Sequence, residues 1–147
     1  MRELHTEILI EAPAERVWSI LADLAAYPDW NPFITAAEGV LEPGARLTLR
    51  IEPPGGRPMT FRPRLLAVLP GRQLRWLGRV GVPGLFDGEH GFGIHPEGEG
   101  RVRLEQWERF GGFLVPFLWR RVAAPTRAGF EAMNAALKAR AEAAGTP

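Results

Sequence analysis

The sequence predicts an α+β fold in which a curved antiparallel sheet is covered by one long C-terminal helix. Three observations carry this: an amphipathic helical pattern at the end of the chain, a succession of short strand patterns before it, and a length suited to one core. Between Gly112 and Ala144, the residues Leu114, Leu118, Val122, Pro125, Gly129, Phe130, Met133, Ala136 and Leu137 fall on one broad arc at about 100° per residue. Arg120, Arg127, Glu131, Asn134, Lys138 and Glu142 take the opposite arc. A stripe this long needs a partner of similar length, and the rest of the chain supplies strands. Pro125 removes a backbone donor inside the periodic run, which predicts a kink or a break there. Gly129, Ala132 and Ala136 fill poorly, so they leave either a close helix–sheet contact or a space.

The elements before the helix follow in order. Leu4, Thr6, Ile8 and Ile10 alternate with His5, Glu7, Leu9 and Glu11, the pattern of a half-buried strand whose more polar face carries a solvated His5. Pro13 suits a first helical turn, and Val17, Trp18, Ile20 and Leu21 give a short helix its apolar side. Asp23 is placed to cap a second short helix. Tyr27 to Phe33, with prolines at Pro28 and Pro32, reads as a rigid loop. Strands are then predicted over Ile34–Leu41, Arg46–Glu52, Met59–Leu69, Gln73–Val80, Leu85–His95 and Arg101–Phe110, separated by turn sequences such as EPGA, PPGGR, PGR and PEGEG. The count is about seven strands, with two short helices after the first.

Composition narrows the function. At 147 residues with 46% hydrophobic content, the chain is read as a single domain over 1–147. The formal charge is +1, and the arginines are spread along the chain and interleaved with glutamate, which argues against a nucleic-acid surface. The absence of cysteine excludes thiolate chemistry, and His5, His90 and His95 show no metal-binding spacing, so no metal is predicted. No cofactor is predicted either. A phosphate-cradling glycine loop, a nucleotide fingerprint and a serine–histidine–aspartate arrangement are all missing, and neither Ser19 nor Thr126 has a base nearby in sequence. Without an apolar run near ~20 residues or a leader pattern, the prediction is a cytoplasmic protein with no stable membrane insertion.

The element order, together with the opening IEAPAERVWSILADLAAYPDWNPF, resembles the START-like superfamily, also called SRPBCC, which includes the polyketide cyclase/dehydrase and lipid-transport group. The motifs Trp76-x-Gly78, His90-x-Phe92 and Glu108-x-Phe110-Gly111, and the closing FEAMNAALKARAE, are similar to one bacterial branch of it. The resemblance implies a helix-grip fold, with a curved sheet wrapped around the last helix and a hydrophobic cavity between them. It also implies an apolar ligand: a lipid, isoprenoid, or aromatic or polyketide-like molecule.

Pairing His95 with Arg101 across PEGEG sets Phe92 against Leu104, His90 against Gln106, Gly88 against Glu108 and Phe86 against Phe110. All eight share one face by alternation, which places His90, Gln106 and Glu108 as polar groups in an apolar concavity. The predicted ligand-binding residues are Trp30, Phe33, Phe61, Leu65, Trp76, Phe86, His90, Phe92, Leu104, Gln106, Glu108, Phe117, Gly129 and Met133. Trp30, Asn31 and Phe33 form a rim. Phe61, Pro63 and Leu65, with Leu74, Trp76 and Gly78, form walls, and Arg62 and Arg64 face outward. Three functions are open: a non-catalytic binder of a small hydrophobic ligand, which leads; a cyclase or aromatase-like enzyme using His90 and Glu108 as an acid–base pair; and a protein-interaction module. Trp107 alternates away from the cavity as an exposed tryptophan for a homodimer or a membrane contact. Phe113 and Phe117 stand at the start of the last helix, as a lid hinge or as its first turn beside Pro116.

Overall fold

A computed structural model describes residues 2–143. In chain order, β1 (Arg2–Ile10) leads to α1 (Ala14–Ala22), a 3₁₀ turn (Leu24–Ala26) and α2 (Tyr27–Trp30). Then come β2 (Ile34–Glu38), β3 (Thr48–Ile51), β4 (Met59–Phe61), β5 (Arg64–Leu69), β6 (Gln73–Val80), β7 (Phe86–Pro96), β8 (Val102–Gly111) and α3 (Val115–Glu142). The strands form a five-stranded antiparallel sheet ordered β1-β8-β7-β6-β5 and a three-stranded one ordered β2-β3-β4. The two are joined where residues 44–47 run beside β5: Gly44 N–H donates to Leu65 O at 2.8 Å and Leu47 N–H to Pro63 O at 2.9 Å.

Eight strands stand where about seven are predicted, because Met59–Leu69 is two strands. Pro63 cannot donate to a ladder, so pairing with β3 stops at Phe61 and pairing with β6 begins at Arg64. Tyr27–Trp30 is a helical turn, not a loop. Pro28 sits in its first turn, where a missing N–H costs nothing, and Asn31 N–H donates to Tyr27 O at 2.9 Å. Asp23 makes no side-chain cap. Instead Asn31 Oδ1 accepts from Phe33 N–H and Ile34 N–H, at 2.9 and 2.8 Å, and turns the chain into β2.

α3 runs unbroken through Pro125. Burial on both sides of the proline, at Val115 and from Gly129 to Leu137, holds the helix where one backbone bond is lost. The buried arc is wider than the apolar stripe: Asn134, predicted on the polar side, is 2% exposed. The polar side is not simply solvated either. β1 is an edge strand, and α3 takes up its outward backbone, with Arg127 donating to His5 O and Lys138 to Leu9 O, while just past the strand Glu142 accepts from Glu11 N–H. This blocks further strand pairing along that edge. Arg16 of α1 donates to Ala141 O and Arg140 O, covering carbonyls left open at the helix end. The α3 core residues Phe130, Met133 and Leu137 are fully buried against the sheet, Tyr27 and Phe33. Burial pushes the Tyr27 hydroxyl above its ordinary range, and it donates to Leu21 O at 2.6 Å.

Candidate ligand cavity

β7 pairs with β8 so that His90 faces Glu108, Phe92 faces Gln106, Gly88 faces Phe110 and Ile94 faces Leu104. This is two residues from the predicted register. A slip of two leaves every side chain on its own face, so the concave assignment survives the error while each partner changes.

Three glycines of β7 receive side chains from β8. The Glu108 carboxylate lies over Gly88 on the concave face; on the convex face the Trp107 ring lies over Gly91, and Glu105 and His95 fold over Gly93. A Cβ at Gly88 or Gly91 would collide with the side chain above it. Trp107 is therefore half-buried and stacked under Arg109, 4.9 Å from its ring, where an exposed ring is predicted.

His90 is 5% exposed and boxed by aromatics, with Trp76 stacked on it at 4.9 Å and Phe92 and Phe130 also at 4.9 Å. Behind it runs a directional chain. Gln106 Nε2 donates to Asn134 Oδ1 at 2.7 Å, Asn134 Nδ2 to Thr6 Oγ1 at 2.9 Å, and the Thr6 hydroxyl to Gln106 O at 2.8 Å. That orientation leaves Gln106 Oε1 as an acceptor 3.0 Å from His90 Nε2, so Nε2 carries the hydrogen. His90 Nδ1 then faces Glu108 Oε1 at 3.5 Å. At that separation the two are neighbours without a direct hydrogen bond, and a donor placed between them could reach both. The Glu108 side chain is 18% exposed and His90's 6%, so both are largely withdrawn from solvent on the cavity wall.

The cavity measures about 330 Å³, at the small end of ligand sites. Trp76, Gly78, Phe86, Gly88, His90, Glu108 and Phe110 form its sheet wall. Leu49, Ile51, Met59 and Phe61 close it from the smaller sheet, and Val122, Pro125 and Thr126 of α3 form its roof. Of the predicted binding residues, Phe33, Phe61, Trp76, Phe86, His90 and Glu108 lie on this wall. The others lie elsewhere. Leu65, Phe92 and Met133 are buried in the main core, and Leu104 in a second core with Ile10, Ile94 and Leu137. Gln106 lies behind His90, one layer from the cavity. Gly129 is covered by the Phe33 ring, so its bare Cα is a close contact and not a space. Phe117 is 73% exposed and pairs with Phe113, 6.3 Å away, on the outer side of the first helical turn. Trp30 and Ala136 line a separate shallow groove between α1 and the end of α3.

Sequence reasoning missed Thr6 and Asn134, the lining by Leu49, Ile51 and Met59 beside the predicted Phe61 on the small sheet, and the lining by Val122, Pro125 and Thr126. Asn134 was recoverable, since it lies four residues from Phe130 and seven before Ala141, both buried. On the convex face, His5 and His95 converge on Glu105, with Nε2–oxygen distances of 2.6 and 2.5 Å. Desolvation would raise the Glu105 carboxyl, but the hydrogen bonds from His5 and His95 outweigh it and hold the group below its ordinary range. His5, Glu7 and Glu105 have ligand-type atoms within 4.8 Å of one another, a grouping that the spacing of histidines along the sequence does not reveal. Glu7 is also paired with Arg103. Among the described residues, no helix is long and apolar enough to cross a membrane.

A curved sheet gripping a long C-terminal helix over an aromatic-walled cavity defines the START-like helix-grip class. The chain belongs to the polyketide cyclase/dehydrase and lipid transport family, whose model matches residues 1–142. No functionally curated protein matches it. Among solved structures, the di-domain aromatase/cyclase BexL of the BE-7585A biosynthetic pathway superposes with a TM-score of 0.73 at 18% identity over 97% of this chain. This chain spans 48% of BexL's length. A START superfamily protein from Mycobacterium smegmatis gives 0.72 at 25% identity, covering 95% of this chain and 97% of that one. The ZhuI aromatase/cyclase from Streptomyces sp. R1128 gives 0.74 at 20% identity, covering 99% of both.

Proposed function

We propose that this chain acts as one domain that binds a small apolar molecule in the cavity between the concave sheet and α3. One observation carries the reading: the interior beside α3 is not filled by its own side chains but leaves about 330 Å³ walled by Phe33, Phe61, Trp76, Phe86 and Phe110. A folded core closes such a space unless something is to occupy it, because an apolar void forfeits contact on every side. The family's description, covering cyclases, dehydrases and lipid transport, supports a ligand of this kind. Saturable uptake of an apolar dye at one site per chain, lost when Thr126→Trp fills the roof, tests it.

A second reading is favoured by one specific feature. The Thr6–Asn134–Gln106 chain fixes the hydrogen on His90 Nε2 and leaves Nδ1 facing Glu108 across 3.5 Å at the cavity wall. Such a pair can lend a proton to a carbonyl or enol oxygen and take one back, as cyclase and aromatase chemistry needs. In that case His90→Ala would abolish turnover while dye affinity stays within about threefold of wild type.

A further inference from the structure

Resting on the cavity reading above, we infer that its ligand is an anionic amphiphile: an apolar body held inside, with a terminal carboxylate or phosphate at the mouth. Two exposed arginines from separate elements line the cavity, Arg57 in the β3–β4 connection and Arg121 on α3. Arg79 of β6 alternates to the convex face, where it pairs with Asp87 at 3.6 Å, so its guanidinium takes no part. Arg57 and Arg121 have no hydrogen bond or ion pair among the described residues, so their guanidinium groups are available. Glu52, the acid nearest the rim in sequence, is turned to Thr35 at 2.5 Å and Arg50 at 3.2 Å. Among the described residues Glu108 is the only acidic side chain on the cavity wall, and it lies beside His90, more withdrawn from solvent than either arginine.

The polarity of the site is therefore ordered along its depth. A carboxylate pushed inward would meet Glu108, whereas one left at the mouth meets two unpaired guanidinium groups whose planar donors match its two oxygens. The aromatic wall takes the apolar body. The same distribution speeds encounter with anions, because a cationic rim over a low-dielectric cleft concentrates field at the opening.

Displacement of a bound apolar dye by decanoate, decyl phosphate and decanol, on the full chain at neutral pH, tests the inference. Decanoate or decyl phosphate is expected to bind about tenfold tighter than decanol at low salt, with the advantage shrinking in high salt. In the double variant Arg57→Gln/Arg121→Gln the advantage should fall below about twofold while decanol affinity is unchanged. A greater preference for decyl phosphate than for decanoate supports the same site and assigns it a phosphate head. Equal binding of decanol and both anions by the wild type, or a preference that survives in the double variant, would overturn the anionic assignment and leave the cavity reading intact. If the cavity binds neither the dye nor any of the three, the binding reading itself falls, and this one with it.

Discussion

The carboxylate of Glu108 lies over the bare Cα of Gly88, in space that a side chain there would occupy. Two neighbouring strands thus set the position of this cavity-wall acid, and the glycine matters because it is empty. Gly88→Ala is expected to push Glu108 away from His90 at an overpacking cost of about 1–3 kcal/mol. The imidazole nitrogen NMR signals of His90 should then match those of Glu108→Gln more closely than those of wild type. Wild-type signals in Gly88→Ala would show that the glycine does not position the acid.

The buried amide chain behind His90 makes a second prediction. Gln106 is fully buried and Asn134 nearly so, and each satisfies the other. Asn134→Ala should destabilise by about 1–3 kcal/mol, because it leaves buried groups of Gln106 and Thr6 without partners. Replacing both, as Gln106→Leu/Asn134→Leu, should cost less than the sum of the single changes. Denaturant unfolding in a double-mutant cycle reads the coupling directly.

Gly129 tests the helix contact. Phe33 covers it so closely that a Cβ would enter the ring, and Phe33 also packs edge-on against Phe130 at 5.7 Å. Gly129→Ala should lower the melting temperature by several degrees, in spite of alanine's better helix propensity. A rise in melting temperature would place the helix farther from Phe33 than described.

How much of this was legible follows from what each signal measures. Alternation identified the face carrying His90 and Glu108, because a strand's period of two does not depend on its partner. It could not set register, which PEGEG left open by two residues, nor show that Gln106 would sit behind His90. Pro63 was visible as a residue but was read through, though its missing donor ends β4 at Phe61. The stripe on α3 identified Phe130, Met133 and Leu137 as core. It misplaced Asn134, because residue polarity was taken for exposure when a threonine and a glutamine were waiting across the interface. The convex cluster of His5, His95 and Glu105 joins three strands, and only their pairing brings it together.

That cluster gives a pH prediction. The Glu105 carboxyl lies below its ordinary range in the folded protein, so the unfolded chain binds the proton more readily. The stabilisation is full above the ordinary carboxylate range and is lost as pH falls through it toward the folded value. Between about pH 5 and pH 3 the wild-type melting temperature should fall more steeply than that of Glu105→Gln. Parallel profiles would mean the histidine contacts contribute nothing.

The most direct measurement of the central claim is dye titration of two tryptophan variants. Thr126→Trp fills the cavity under α3, and Ala136→Trp fills the shallow groove between α1 and the helix end. Binding in the cavity predicts saturable uptake by wild type and Ala136→Trp, and none by a folded Thr126→Trp. Retention by Thr126→Trp with loss in Ala136→Trp, or no saturable uptake by any of the three, would contradict it.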